Sequence, residues 1–164
     1  MVLNARARLL TACVALGAVA AVLSGFWPAH AQSVPAGYQP GLGDFMNGLV
    51  QPRHAKLGLA GQAGNWPLAA YELKVLHEAF DSTAKAIPKY RNISVPDMIE
   101  ALIKTPLQET EDAIKAKDAA KFTAAYAKLT TGCDSCHQSA GVRFVVIKPP
   151  DHSGFANQDF APRR

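Results

Sequence analysis

Apolar residues recur at helical spacing along most of the chain after residue 41. In residues 42–60, Leu42, Phe45, Met46, Leu49 and Val50 fall at i, i+3, i+4, i+7 and i+8, and Leu57 continues that side. This pattern predicts an amphipathic helix. Pro52 lies inside it and should kink it, or leave carbonyls near Gly48 without a partner. The glycines of residues 61–64 should end it. Asn65 is placed to cap the next helix, with Pro67 in its first turn. That helix carries Ala69, Ala70, Leu73, Leu76 and Phe80 on one side and should stop before Pro88.

Residues 88–96 read as a connection. Ser94 is a cap for a third helix through Met98, Leu102 and Ile103, which Pro106 should interrupt. Thr105 with Gln108 forms a capping-box pattern that restarts it toward Lys117. Asp118 caps the last helix. Its seam of Phe122, Tyr126, Leu129, Cys133 and Cys136 advances by 4, 3, 4 and 3 residues, the spacing of a face packed on other helices. Gly141 can end it. Residues 144–147 are apolar and extended, and Pro149-Pro150 opens a loose tail. Trp66, Tyr71, Phe80, Phe122 and Tyr126 read as core aromatics. Four helices with short links predict an all-α fold, an antiparallel four-helix bundle.

Residues 1–31 stand apart. Arg6 and Arg8 precede an uncharged apolar stretch over residues 9–27, followed by Ala29-His30-Ala31. This is the layout of a secretory signal peptide cleaved after Ala31. A retained membrane anchor fits less well, because Gly17, Ser24, Gly25 and Pro28 weaken the span. Cys13 lies too close to Arg8 for a lipoprotein cleavage box. The expected division is a signal at 1–31, a helical domain at 32–141 and a tail at 142–164. The exported part has 15 basic and 13 acidic residues, a net charge of +2, with no basic stripe. Nucleic acid is therefore not an expected partner, nor is a membrane after cleavage.

Cysteine usage narrows the chemistry. With Cys13 removed, two remain, in Cys133-Asp134-Ser135-Cys136-His137. C-x-x-C-H is the attachment pattern for c-type haem. Two thiols at i, i+3 lie on one side of a helical turn. Both can add across haem vinyl groups as thioethers, while the adjacent His reaches the iron as a neutral imidazole. The rival readings are a structural zinc site, which lacks a second Cys pair, a thioredoxin-type redox pair, and a plain disulfide. Haem c, one per chain, is the expected cofactor, bound by Cys133, Cys136 and His137, with His137 as the metal ligand. No Met follows His137, so a sulfur ligand to the sixth iron site must come from upstream. The candidates are Met46, Met98 and His54, with His77 at the edge of a helix face, or the site is open. Arg53, Lys56 and Arg143 are candidates to offset haem propionate charge, and each reads as simply as a solvated surface residue.

With a late C-x-x-C-H on its fourth helix, the chain resembles the class II c-type cytochromes, the cytochrome c-prime-like family, over about residues 42–137. The resemblance implies haem attached near the C-terminal end of helix 4, His137 as proximal ligand, and a first-helix residue facing the sixth site. That residue is Met46 here. The resemblance also departs at Leu42, where the family often carries an Arg. It implies a periplasmic cytochrome c that transfers electrons through haem iron to redox partner proteins and is no enzyme. The alternative is a five-coordinate haem protein binding NO or CO. A peroxidase would need a distal acid–base group, for which only His54 or His77 qualifies. A homodimer is the common assembly.

Overall fold

The computed structural model describes residues 37–163. The signal-peptide reading of residues 1–31 lies outside them. The described chain is mostly helical, with five helices and one small antiparallel hairpin. Helix α1 runs from Leu42 to Gln62 in three stretches, Leu42–Phe45, a π-helical turn Met46–Val50, and Gln51–Gln62. Helix α2 is Trp66–Ala86, α3 is Val95–Leu102, α4 is Lys104–Ala116 and α5 is Ala119–Ser139. Strands β1 (Lys89–Tyr90) and β2 (Ile93–Ser94) pair Lys89 with Ser94 and Tyr90 with Ile93. Among the described residues, no helix is long and apolar enough to cross a membrane.

Proline chemistry shapes α1. Pro52 brings no N–H to the Gly48 carbonyl. The helix does not break there. Its preceding turn widens, and the Gln51 N–H bonds to the Met46 carbonyl five residues back. The wider turn changes which side chains share a face. Leu49, expected on the apolar side, is 42% exposed. Val50 and Leu57, expected on the same side, are buried, and His54 and Gly61 join them.

Residues 61–64 end α1 as expected. Gly61 is not itself the stop. It lies where α1 touches α5, and a Cβ there would sit 2.0 Å from Cζ of Phe122. The stop is Gly64, whose φ of +69° turns the chain. Asn65 then caps α2 as expected, its Oδ1 accepting from the Leu68 N–H.

Between α3 and α4 the break falls at Ile103, ahead of Pro106, which occupies the first turn of α4. The expected Thr105–Gln108 capping box is not formed. Gln108 Nε2 instead donates to Glu111 and Asp112. Pro106 deprives the Leu102 carbonyl of its helical donor, and that oxygen lies against Gly132 of α5. A Cβ at Gly132 would meet it at 2.5 Å. Asp118 caps α5 through the Lys121 N–H.

The connection at residues 88–96 holds the unforeseen hairpin, with Arg91 left-handed at φ +51°. Arg91 Nη1 donates to the Ala140 carbonyl at 2.9 Å, tying the hairpin tip to the end of α5.

Helices α1 and α2 pack as one hairpin pair, α4 and α5 as another, and α1–α5 and α2–α4 contacts join the pairs. The core between them holds Leu57, Leu76, Phe80, Ile114, Phe122 and Leu129. Tyr71, expected in the core, is 55% exposed. The tail has no regular structure but is not loose. Gln62 Nε2 donates to the Pro150 carbonyl, Asn65 Nδ2 to the carbonyls of Phe160 and Ala161, and the Phe160 ring is buried in the core.

Candidate functional site

The C-x-x-C-H motif occupies the last turns of α5. Gly141, at φ +71°, ends the helix, and the Val142 N–H closes on the His137 carbonyl at 2.8 Å. The chain then reverses across the motif. At this end α1 and α5 enclose a cleft of about 230 Å³. Cys133, Cys136 and His137 line it from α5, and Met46 and Val50 from α1. Ile99 of α3, Ile103 at the α3–α4 break, and Val145 and Ile147 of the tail supply more apolar wall. The lining contains no Lys, Arg, Asp or Glu. The four residues singled out from sequence, separated by nearly ninety positions, therefore share one apolar surface.

Each donor has a defined state. Cys133 and Cys136 are free thiols. Burial pushes the Cys133 thiol up to about 12, with the neighbouring Asp134 carboxylate and Cys136 adding to the rise. Burial raises Cys136 as well. Both stay protonated at neutral pH. A thioredoxin-type pair needs the opposite, a thiol lowered at a helix N-terminus. Here the pair closes a 21-residue helix. His137 Nδ1 lies 2.8 Å from the Val145 carbonyl. A carbonyl only accepts, so Nδ1 carries a proton, and in the neutral ring the lone pair is then on Nε2. Such a nitrogen is suited to ligate a metal, with the second hydrogen bond fixing the ring.

Other sequence candidates fall elsewhere. His54 faces the closed part of the α1–α5 contact. It is 3% exposed, with Nε2 at 3.0 Å from Thr130 Oγ1 and Nδ1 at 3.0 Å from the Tyr126 hydroxyl. The Tyr126 hydroxyl donates to the His54 carbonyl at 2.8 Å, and the two rings stack. Burial lowers His54 to about 4, against a small opposing pull from Asp134. It is a neutral, satisfied core residue turned away from the cleft by the π turn. Met98 lies on α3 but does not line the cleft, and His77 is exposed on α2.

The cationic candidates also lie off the cleft. Arg53 pairs with the buried carboxylate of Glu72 at 3.2 Å. The Lys56 ammonium sits over the Phe155 ring, 4.7 Å from its centre. Arg143 is exposed and absent from the lining. The polar lining residues missed from sequence are Asn47 and Gln51, brought to the cleft by the π turn, and Tyr90 from the hairpin.

Among the described residues, no group of three or more His, Cys, Asp or Glu side chains could hold a metal ion by itself. A protein-only zinc site is therefore not assembled there. The donor set present is two thiols, one imidazole and one thioether around an apolar wall. It fits a group that brings most of its own metal ligands, is held by sulfur, and needs water excluded. The cleft is smaller than the ~300–1,000 Å³ of typical small-molecule sites. It is only partly enclosed, so a bound group need not fit wholly within it. No protein-family model, no curated protein and no solved structure matches this chain.

Proposed function

We propose that this protein is an exported c-type cytochrome that carries one haem c and transfers electrons through its iron. Cys133 and Cys136 hold the group through thioethers, and His137 Nε2 is the proximal ligand. Met46 is the second ligand, reaching across the cleft from α1. The haem, when bound, supplies an iron centre that cycles between ferric and ferrous states. The protein supplies the rest. Val50, Ile99 and Ile103 keep the site apolar, the Val145 carbonyl orients the imidazole, and two chain ligands leave no open iron position for a substrate. On this reading the protein is a carrier and no enzyme, its partners are redox proteins, and residues 1–31 direct it to the periplasm.

The observation that carries the proposal is convergence. A motif with a specific attachment chemistry meets, among the described residues, one upstream sulfur that shares its cleft, Met46, and the imidazole has its Nδ1 engaged by a carbonyl, as a ligand ring does. The architecture supports the likeness to the class II cytochromes. Taken with α3 as the leading turns of α4, the two packed hairpins are compatible with the four-helix bundle that the likeness implies, and the motif lies at the end of the last helix.

The test is direct. Protein matured alongside a working cytochrome assembly system should be coloured, and its haem should stay with the chain after denaturation in acid-acetone. Haem lost to the solvent, or colourless protein, rejects the proposal. Ferrous protein that binds carbon monoxide at once, without mutation, would replace electron transfer by the five-coordinate gas-binding reading.

A further inference from the structure

The tail segment after Gly141 is tied to the motif at two points. Val145 offers its carbonyl to His137 Nδ1 at 2.8 Å. Two residues on, the Ile147 N–H donates to Asp134 Oδ1 at 2.8 Å. Between them the segment alternates. Val145 and Ile147 line the cleft, while Val146 is 71% exposed. The bond from Val145 N–H to the Val142 carbonyl closes the reversal that brings the Val145 carbonyl to the Nδ1 edge of the ring. Beyond it, Pro150 and Phe160 are held independently by Gln62, Asn65 and the core.

We propose that residues 142–147 are a positioning strap for His137, and that Asp134, inside the motif, is its anchor. The inference rests on the ligand role given to His137 above. A carbonyl accepting from Nδ1–H increases the electron density of the imidazole and fixes the ring plane, so the strap stabilises the ferric state and lowers the reduction potential. The attachment pattern needs only Cys133, Cys136 and His137, which frees Asp134 for this second task. Because the far tail is anchored elsewhere, releasing Asp134 loosens the strap without removing Phe160 from the core.

Three variants of the holo protein test this: Asp134→Ala, which removes the acceptor and the charge; Asp134→Asn, which removes the charge but keeps Oδ1; and Ile147→Pro, which removes the donor. Three readings are taken on each: reduction potential, hydrogen exchange of the His137 ring N–H in the ferrous state, and trypsin cleavage after the exposed Arg143. Asp134→Ala and Ile147→Pro should raise the potential and speed both exchange and cleavage at least tenfold, whereas Asp134→Asn should stay close to the parent. Equal potentials for Ala and Asn, both displaced from the parent, would mean that Asp134 acts by charge alone and overturn the strap. So would an Asp134→Ala protein indistinguishable from the parent in all three readings. In either case the haem would remain covalently attached, whereas failure of the cytochrome reading itself would show as colourless parent protein.

Discussion

Helices α1 and α5 face each other over two regions, and the two are built on opposite rules. In the closed region, Gly61 lies against Phe122 and Gly58 against Tyr126, so closely that a Cβ at either would fall within 2.6 Å of the opposing ring or hydroxyl. The buried polar side chains there have partners, with both ring nitrogens of His54 within hydrogen-bond distance of the Thr130 and Tyr126 hydroxyls and the Tyr126 hydroxyl donating to the His54 carbonyl. In the open region, one to two turns away, the same helices part around an apolar cleft that collects a thioether, two thiols and an imidazole. The contrast between the two histidines follows. His54 has both ring nitrogens engaged within the protein, whereas His137 has only Nδ1 engaged. A histidine with both nitrogens engaged stabilises a core, and one that lines an apolar cleft with a ring nitrogen unengaged is equipped, when neutral, for ligation.

The largest expected break of this contrast is by acid. Burial holds His54 near 4 in the folded protein, against 6.5 for an unperturbed imidazole. Above pH 6.5 neither folded nor unfolded chain protonates this ring, and the stability of the closed region is complete. Between pH 6.5 and 4 the unfolded chain takes up a proton that the folded chain refuses, so stability falls by about 3 kcal/mol over that window, at ~1.4 kcal/mol per pH unit. Urea midpoints at pH 7 and pH 4.5 should show this loss in the parent. His54→Gln should be weaker at pH 7 but fall less with acid. An equal fall in both proteins would place the acid sensitivity elsewhere.

Glycine substitutions sharpen the same comparison with a smaller effect. Gly61→Ala forces a methyl into the space of the Phe122 ring and should cost about 2 kcal/mol, within the ~1–3 kcal/mol of core overpacking. Gly48→Ala, in the same helix beside the cleft, meets nothing within 4 Å and should be neutral or stabilise by up to ~1 kcal/mol. Thermal unfolding of the two variants separates them, and a Gly61→Ala protein as stable as the parent would deny the close approach.

Much of the fold was legible in the sequence because helical periodicity, Asn65 and Asp118 as caps, and the proline near residue 106 are local signals. The thiols and His137 stood out because their order matches the pattern of one attachment chemistry, and the fold brings them to one cleft. What escaped detection has no local signal. The π turn follows from the N–H that Pro52 lacks, but whether a helix kinks or widens there is decided by what packs on it. That choice exposed Leu49, sent His54 into the core and carried Asn47 and Gln51 to the cleft. The β-hairpin depends on Arg91 accepting a left-handed conformation, which its residue type disfavours. The tail is anchored by side chains reaching backbone carbonyls, and a carbonyl acceptor is the same at every residue.

The smallest expected effect on stability is at Met46, and it bears most on the open region. Met46 is only partly buried and packs against the edge of the core. Truncation to Ala should cost no more than about 1 kcal/mol, well below the ~2–5 kcal/mol of a fully buried methionine. Its spectral effect should be complete, because the ferric holo protein should lose the sulfur-to-iron band at the red edge and the ferrous form should gain carbon monoxide binding. Met98→Ala is the matched control. That methionine is also partly buried but lies outside the cleft lining, so the band should persist. A band that survives Met46→Ala would remove α1 from the iron's coordination and leave the cleft with a single chain ligand, the arrangement that favours gas binding over electron transfer.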